Sequence, residues 1–390
     1  MNQLSSAGGA GDCGDGVRGA GGDRQSPVAV YVHTPFCPTK CGYCDFNSYA
    51  MEGEIIPRTA RAIAEEIRRS PWRGQPAKTI FFGGGTPTFL PTDDLIAILE
   101  AVLEVHPPIE GVEITSEANP GTVDSEKFAA MREAGFNRVS LGAQSFLDSD
   151  LIRLGRVHVA GQIELAVQRA RDAGFDNLNL DLMFALPGQS IDAWRRNIDR
   201  ALALDPEHLS LYCLTLEPNT PFYREHLRGL LIQPDEDMQV DMYDIARERT
   251  AAAGFDHYEI SNFAKPGRES RHNLAYWRSE SYAGYGPGAV GFMDGVRYTN
   301  WKHPERFVDA VESGEPIAFE REPIDEATHR TEQIMLGLRL SEGIPADIAS
   351  ASGLLRCRER GWIREAANRI RLTPDGQHFC SEVALELIGN

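Results

Sequence analysis

Residues 28–48 read VAVYVHTPFCPTKCGYCDFNS, and this stretch decides how the rest of the chain is interpreted. It begins with an apolar run rich in β-branched residues, over 28–34, which predicts a buried strand. Three cysteines follow directly, Cys37, Cys41 and Cys44, separated by three and by two residues. A strand that delivers three thiols into one short loop indicates metal or redox chemistry at the end of that strand.

This strand is the first of a repeating pattern in which short apolar runs alternate with longer segments of helical periodicity. The predicted strands are 28–34, 78–85, 111–118, 138–145, 177–185 and 208–215, and the predicted helices are 55–70, 92–105, 124–135, 160–173 and 190–203. Nearly continuous apolar runs are typical of parallel strands that helices cover. Six such units predict an α/β fold, either a (β/α) barrel or an open doubly wound sheet.

The regular alternation of predicted strands and helices ends after residue 220. A long helix is predicted over 234–253 and one more strand over 257–264, and the chain ends in two short strands and a closing helix. We therefore divide the chain into a disordered Gly-rich tail (1–26), the barrel (27–264), an irregular segment without a clear period (265–304) and a small α+β, winged-helix-like C-terminal domain (305–390).

Composition limits the classes of protein that remain. The 390 residues are 42% hydrophobic and 25% charged, which is ordinary for a globular protein, and no apolar run is long enough to cross a membrane. The net charge of −18 makes nucleic acid an unlikely main partner. Seven cysteines, of which Cys13 lies in the tail, form no regular disulfide framework, and no signal peptide is recognisable. These features predict a cytoplasmic protein.

Two interpretations of the cysteine loop compete on spacing alone. A structural zinc site normally takes four protein ligands, and His33 would have to turn into the loop to serve as the fourth. A [4Fe–4S] cluster held by three cysteines instead leaves one iron open to an exogenous ligand. The spacing favours the cluster and leaves zinc open.

The stretch YVHTPFCPTKCGYCDF resembles the signature of the radical S-adenosylmethionine (SAM) superfamily. The resemblance implies a partial (β/α)6 TIM-like barrel in which Cys37, Cys41 and Cys44 hold a [4Fe–4S] cluster. In that superfamily the open iron binds the amino and carboxylate groups of SAM, and the reduced cluster generates a 5′-deoxyadenosyl radical. The reactive chemistry then belongs to the cofactor, while the protein orients and shields it.

Polar residues at the ends of the predicted strands fit the same interpretation. Glu117, Gln144, Asp181 and Thr215 interrupt apolar strands near their carboxyl ends, and each alone could be a turn or cap residue. Together they are expected at the mouth of the barrel, where the loops after parallel strands build active sites. The guanidinium of Arg156 suits a carboxylate through its fixed fork of donors.

Over residues 28 to 385 the chain resembles the coproporphyrinogen III dehydrogenase and heme chaperone branch of the superfamily. The motifs that carry the resemblance are YVHTPFC, FFGGGTPT, EITSEANPGT, RVSLGAQSF, LGRVH, NLDLMFALPGQ and HLSLYCLTLEP. By motif, the resemblance implies SAM-site roles for Tyr31, Tyr43, Gly84, Gly85, Thr86, Glu117, Gln144, Arg156, Asp181 and Thr215.

Two features separate the members of this branch. The dehydrogenase carries a fourth cysteine two positions after the third, where this chain has Phe46, and it carries a structured N-terminal extension. The HemW-type heme chaperones share the continuation CDFNS and a motif HNxxYW, present here as His272 to Trp277. Imidazole is a common heme ligand, and Tyr and Trp offer flat surfaces to a porphyrin. The resemblance therefore implies that His272 contacts heme, whereas the six letters alone favour a capped turn with packed aromatic residues. His33 is expected to shape the surroundings of the cluster.

The leading hypothesis is a heme chaperone that binds a [4Fe–4S] cluster, SAM and heme and delivers heme to apo-proteins. The alternative is an oxygen-independent coproporphyrinogen III dehydrogenase, whose activity Phe46 makes doubtful, and a third is another radical SAM enzyme acting on a tetrapyrrole or a side chain. Whether the chain is an enzyme therefore stays open. An exposed cluster region could also pair two copies into a homodimer.

Overall fold

The computed structural model of the chain describes residues 26–389. Residues 1–25 of the predicted tail, which include Cys13, lie outside the described residues. Among the residues that are described, no helix combines the length and the apolarity that a membrane crossing requires.

Strands and helices alternate along the chain as far as the sixth strand, and after it the order of the elements is no longer regular. The strands are β1 Val28–Thr34, β2 Ala77–Gly84, β3 Pro108–Ala118, β4 Arg138–Gln144, β5 Leu178–Phe184, β6 His208–Cys213, β7 Asp256–Glu259, β8 Asn262–Ala264, β9 Tyr282–Tyr285, β10 Val290–Met293, β11 Val296–Asn300, β12 Ala318–Pro323, β13 Ile344–Pro345, β14 Ile363–Ala366 and β15 Arg369–Leu372. The helices are α1 Ile55–Arg68, α2 Thr92–Val105, α3 Ser125–Ala134, α4 Asp148–Leu154, α5 Ala160–Asp172, α6 Ile191–Ala203, α7 Pro221–Leu227, α8 Glu236–Ala252, α9 Arg271–Trp277, α10 Pro304–Ser313, α11 Glu326–Gly337, α12 Ala351–Glu359, α13 Pro374–His378 and α14 Cys380–Ile388.

Strands β1 to β6 pair in parallel in their chain order, which confirms the predicted (β/α)6 unit. The sheet does not close between β6 and β1, because β8 pairs with β6 and β9 pairs with β1. The whole sheet has the order β12-β11-β10-β9-β1-β2-β3-β4-β5-β6-β8-β7. The result is an open barrel whose carboxyl strand ends all lie at one mouth.

Local sequence explains why the predicted helices form where they do. Helix α3 begins after Asp124, whose side chain accepts a hydrogen bond from the amide of Lys127 at 2.8 Å, and it ends at Gly135, whose φ of 112° is left-handed. This is the N-cap and C-cap pattern expected from the residues Asp and Gly at these positions. Helix α2 occupies the predicted range 92–105 without change.

The prediction of one strand over 257–264 was wrong. The segment is a hairpin of β7 and β8, which pair antiparallel around a turn at residues 260 and 261. The buried side chain of Glu259 explains the turn, because its carboxylate accepts hydrogen bonds from the amide of Ser261, at 2.9 Å, and from the side chain of Asn262. The alternating pattern of 257–264 predicted a single strand because it gives no sign of the turn that the carboxylate of Glu259 stabilises.

The prediction of an irregular segment over 265–304 was also wrong. This segment holds helix α9 and strands β9, β10 and β11, and it extends the large sheet beyond β1. The strands have only four or five residues each, too few for a period to emerge in the sequence. Strand β9 lies between two neighbours, and a Cβ at Gly284 would stand 2.0 Å from the carbonyl oxygen of Val290. Glycine there permits the close approach of two backbones.

The C-terminal part was predicted correctly in its last elements. Strands β14 and β15 and helix α14 are the two short strands and the closing helix, and β13 completes an antiparallel sheet with the order β13-β15-β14. A separate apolar core packs around this sheet, from Ile334 on α11 to Leu387 on α14. Helix α10 and strand β12 still belong to the large sheet and its covering layer, so the boundary at residue 305 stays a prediction.

Candidate functional site

A cavity of about 400 Å³ opens at the carboxyl ends of β1 to β6 and is called the mouth cavity below. Of the residues predicted for the cluster and SAM, all but Tyr31 line it. They are Cys37, Cys41, Tyr43, Cys44, Gly84, Gly85, Thr86, Glu117, Gln144, Arg156, Asp181 and Thr215. Residues spread over almost 180 positions meet there because parallel strands present their carboxyl ends at the same edge. Their individual roles stay predictions.

The cysteine loop is held from both sides. The amide of Cys37 donates to the carbonyl of Tyr49 at 3.1 Å, and the amide of Phe222 on α7 donates to the carbonyl of Gly42 at 3.0 Å. The ammonium of Lys40 donates to the carbonyl of Phe46 at 2.6 Å, which folds the loop back on itself. All three cysteine thiols of the loop are partly buried and free of disulfides.

The glycine turn after β2 packs directly against the start of this loop. The amide of Thr86 donates to the carbonyl of Phe36 at 2.7 Å. A Cβ on Gly85 would stand 2.5 Å from that same carbonyl oxygen. The hydroxyl of Thr86 lies 3.5 Å from the sulfur of Cys37 as a donor. The turn therefore needs glycine at position 85 for the backbones to meet, and it places one hydroxyl against the sulfur of Cys37.

Two partly buried carboxyl groups face the mouth cavity. An oxygen of Glu117 accepts a hydrogen bond from the amide of Gly84 at 3.2 Å. Burial, with the nearby charge of Asp181 added, raises the pKa of Glu117 to about 8. Burial also raises the pKa of Asp181, although the side chains of Asn179 and Ser140 hydrogen-bond it at 2.7 and 3.1 Å. Such groups can accept hydrogen bonds from hydroxyl or ammonium groups of a ligand.

Arg156 brings positive charge to the same cavity. One terminal nitrogen lies 3.6 Å from the sulfur of Cys41, and the other donates to the carbonyl of Gly142 at 2.9 Å. Its Nε is buried and has no hydrogen-bond partner among residues 26–389. A buried donor without a partner is costly unless a ligand satisfies it. A guanidinium in this position can receive a ligand carboxylate.

Gln144 completes the far wall with an unusual backbone. Its φ of 64° lies in the left-handed region that favours glycine. A non-glycine residue held in this conformation costs about 1–3 kcal/mol and is often found at ligand sites. Gln144 is the last residue of β4 and lies in the wall of the mouth cavity.

The chemistry of these residues fits a cluster with a small polar ligand. Three thiols, two carboxyls and a guanidinium share one cavity with a glycine turn. In residues 26–389 no three His, Cys, Asp or Glu side chains converge as the ligands of one ion do. Cluster cysteines need no such convergence, because each binds a different iron atom. A structural zinc ion, by contrast, normally takes four protein ligands, and the loop supplies three cysteines.

Sequence reasoning missed several wall residues. Ser140 and Tyr212 line the mouth cavity, and so does Asn119, whose side chain also hydrogen-bonds the imidazole of His158 at 3.1 Å. Ser140 and Asn119 lie inside the motifs RVSLGAQSF and EITSEANPGT, close to predicted residues. Their alternation along the strands was a usable signal, because residues two apart share one face of a strand.

His272 lies at the opposite end of the barrel from the mouth. Helix α9 begins against the starts of β2 and β3, where the amide of His272 donates to a carboxylate oxygen of Glu113 at 3.1 Å. Its two ring nitrogens hydrogen-bond the hydroxyls of Thr79 and Tyr276, both at 2.9 Å. The ring is 1% exposed and stacks on Phe81 at 4.9 Å. Burial lowers the pKa of His272 to about 3, so the imidazole is neutral at pH 7.

This geometry counts against His272 as a ligand of heme iron. Neither nitrogen is free to bind a metal in this conformation, and the side chain acts as a packing and hydrogen-bonding residue of the barrel interior. The heme contact of His272 therefore stays a prediction, and both of its ring nitrogens are already engaged in this structure.

Tyr31 and His33 stand on β1 between the two ends. The hydroxyl of Tyr31 hydrogen-bonds Nδ1 of His33 at 2.9 Å, and Nε2 of His33 hydrogen-bonds the carbonyl of Asn47 at 2.9 Å. The contact with Asn47 fixes the exit of the cysteine loop, as expected for a residue that shapes the surroundings of the cluster. Tyr31 lines an interior cavity of about 280 Å³, which adjoins the mouth cavity through Glu117.

Comparisons with known proteins agree with this site. The family model described as "Radical SAM superfamily" matches residues 31–201. The chain is 38% identical over 376 residues to heme chaperone HemW of Bacillus subtilis (strain 168), covering 93% of this chain and 99% of that protein. It is 36% identical over 384 residues to heme chaperone HemW of Escherichia coli (strain K12), covering 93% and 98%.

The fold has a counterpart among solved structures. Coproporphyrinogen III oxidase (HemN) from Escherichia coli, described as a radical SAM enzyme, superimposes with a TM-score of 0.82 at 20% identity, over 94% of this chain and 91% of that one. Fold and site thus define a radical SAM protein with a HemN-like architecture. Within that class, the chain belongs to the HemW heme chaperone family.

Proposed function

We propose that this protein is a heme chaperone that holds a [4Fe–4S] cluster through Cys37, Cys41 and Cys44, binds SAM in the mouth cavity, and passes heme to apo-proteins. The relatives named heme chaperones support heme as the cargo. When bound, the cluster supplies one-electron chemistry to SAM; the protein supplies position and shielding.

The residues of the mouth cavity have distinct tasks in this proposal. Arg156 receives the carboxylate of SAM, since its guanidinium lies in the wall of the mouth cavity and presents a fork of donors. Glu117 and Asp181 accept hydrogen bonds from ammonium or ribose hydroxyl groups. The turn at Gly84 and Gly85 lets the backbone approach the amino-acid end of the ligand.

The observation that carries the choice between chaperone and dehydrogenase is Phe46. The dehydrogenase signature has a cysteine there, and the resemblance to that branch made it the alternative. In this structure the Phe46 side chain is 64% exposed at the lip of the mouth cavity and offers no ligand atom. The proposal therefore assigns no decarboxylase activity to the chain. An exposed apolar ring beside the cluster is also compatible with docking of a recipient or of a second copy.

The test is an anaerobic titration of hemin into the reconstituted protein, followed by the Soret band, with a parallel incubation with SAM, reductant and coproporphyrinogen III. The proposal predicts a saturable Soret band, transfer of heme to an apo-cytochrome, and no product lighter by two CO2. Absence of a saturable site would overturn the proposal. Formation of the decarboxylated product by a protein with intact cluster would establish the dehydrogenase instead.

A further inference from the structure

A second cavity, of about 460 Å³, lies on the side of the barrel and is called the side cavity below. It is bounded by the end of α9, by β9 and β10 of the sheet extension, and by α11 of the C-terminal part. Its wall consists of Tyr31, His33, Tyr276, Trp277, Ser279, Glu280, Tyr282, Gly288, Val290, Phe292, Arg297, His329, Glu332 and Leu336. It has no wall residue in common with the mouth cavity.

The wall has the composition that a flat apolar ligand requires. Five aromatic rings line it, those of Tyr31, Tyr276, Trp277, Tyr282 and Phe292, together with the aliphatic side chain of Leu336. Aromatic faces bind planar ligands with little loss of conformational entropy. The volume falls within the usual range of about 300–1,000 Å³ for small-molecule sites, which favour junctions between structural units.

Only one of the two histidines in this wall can bind a metal. Both nitrogens of His33 are used, by Tyr31 and by Asn47. The imidazole of His329 on α11 makes no hydrogen bond within residues 26–389, is partly exposed, and lies parallel to the ring of Phe292 at 6.1 Å. Neutral imidazole with a free nitrogen is the commonest protein ligand of heme iron.

The charges of the wall indicate how such a ligand would be oriented. Arg297 is held by Glu332 at 2.6 Å, and Glu280 is paired with Lys78. These pairs leave the wall of the side cavity without an unpaired Lys or Arg. Acidic propionates are therefore expected to point to solvent, with the apolar edge of the porphyrin inside.

Two polar atoms in wall residues are unsatisfied in this structure. The indole nitrogen of Trp277 and the hydroxyl of Ser279 are buried without a hydrogen-bond partner in the described part of the chain. Trp277 is also held on one face by the guanidinium of Arg339, at 4.5 Å from the ring.

We infer that the side cavity is the heme site of this protein and that His329, not His272, is the axial ligand to the iron. The inference rests on the proposed function, because the relatives' name is what makes heme the ligand. In this inference Tyr276 and Trp277 of the HNxxYW motif contact the heme, whereas His272 stays in the barrel interior. On binding, a nitrogen of His329 donates its lone pair to the iron and displaces a water or chloride ligand.

The test compares hemin with metal-free protoporphyrin IX in anaerobic titrations of the full-length protein. His329→Ala is expected to weaken hemin binding by at least about tenfold, since even losing a group that supports a ligand costs about 10–100-fold. It should also shift the Soret band, and added imidazole should restore the spectrum. Binding of metal-free protoporphyrin should not change. His303→Ala, at an exposed histidine outside the wall, is the matched control.

A second pair of variants tests the cavity without touching the iron. Leu336→Trp should fill the cavity and weaken both porphyrins, whereas Met335→Trp, on the same helix but 51% exposed, should leave both unchanged. A native Soret band and affinity in His329→Ala and Leu336→Trp would overturn the inference while leaving the chaperone proposal intact. No saturable hemin binding by the native protein would overturn both.

Discussion

The mouth cavity and the side cavity have similar volumes, about 400 and 460 Å³, but they are built in different ways. The mouth collects thiols, carboxyls and a guanidinium from the ends of consecutive parallel strands. The side cavity collects aromatic rings from a helix, two short strands and a helix of the C-terminal part. The first is a product of local motifs on a regular fold, and the second exists only through tertiary packing.

The difference implies that the two cavities can be damaged separately. The mouth is expected to serve the cluster and SAM, and the side cavity to serve heme. The largest effect should follow from removing a thiol at the mouth, and the smallest from changing a titrating group that only supports the side cavity.

Replacing Cys41 should abolish the cluster. In Cys41→Ser a weaker oxygen ligand replaces a thiolate, so iron, sulfide and the brown absorbance are expected to be lost after anaerobic reconstitution. Cys213→Ser is the control, because Cys213 lines the same cavity but lies outside the loop. Stoichiometric iron and sulfide in Cys41→Ser would refute the assignment of the site.

Adding one methyl group to the glycine turn should weaken SAM binding. Gly85→Ala would place its Cβ 2.5 Å from the carbonyl oxygen of Phe36, so the turn must move. We expect the displaced turn to weaken SAM binding by about tenfold, which corresponds to about 1.4 kcal/mol of binding free energy. Calorimetry on the reconstituted protein measures the loss. Gly161→Ala, on α5 with open space around the new methyl, should bind SAM normally.

Removing the imidazole of His272 should affect stability and not the heme spectrum. His272→Ala leaves the buried hydroxyl of Thr79 and the partly buried hydroxyl of Tyr276 without their partner, at a cost of about 1–3 kcal/mol for an unsatisfied buried group. Urea denaturation and a hemin titration of the same sample separate the two effects. An altered or absent Soret band in His272→Ala, with an unchanged free energy of unfolding, would instead support His272 as the heme ligand.

The smallest expected effect is a change in the pH dependence of stability near the side cavity. Glu66 on α1 accepts hydrogen bonds from the amide of Gly286 at 2.7 Å and the side chain of Asn300 at 2.6 Å, and so ties the sheet extension to the barrel. Burial raises the pKa of Glu66 from about 4.5 to about 8. The folded state thus holds a proton that the unfolded state releases between these pH values.

The sign of the effect follows from that proton. The contribution of Glu66 to the free energy of unfolding is fully present below about pH 4.5 and is lost as the pH rises through about 8. It is lost because the unfolded state binds fewer protons than the folded state between these pH values. In Glu66→Gln this group no longer titrates. The native protein should therefore lose more unfolding free energy than Glu66→Gln between pH 5 and pH 8.5. Equal losses in urea denaturation would show that the Glu66 carboxyl is ionised in the fold.

The same contrast explains what could be predicted from the sequence. The strands β1 to β6 and the wall of the mouth were predictable because strand periodicity and motif position determine which residues meet at the carboxyl ends. Glu117, Asp181 and Arg156 needed no knowledge of distant packing. The hairpin of β7 and β8 was missed because the buried carboxylate of Glu259 stabilises a turn inside an apolar run.

The side cavity could not be predicted in this way. Strands β9 and β10 are four residues long, so they show no period, and the pairing of β9 with β1 depends on contacts far apart in the chain. The letters HNxxYW do not reveal that His272 turns into the barrel while Trp277 faces the side cavity. His329 lies more than fifty residues further on and belongs to no motif.

One measurement tests most directly the claim that the two cavities serve different ligands: a hemin titration of Cys41→Ser, a variant that should lack the cluster. Because the side cavity shares no wall residue with the mouth, we predict a saturable Soret band at the native position and with near-native affinity. Loss of hemin binding together with the cluster, in a variant with native circular dichroism, would contradict the account and place heme at the mouth.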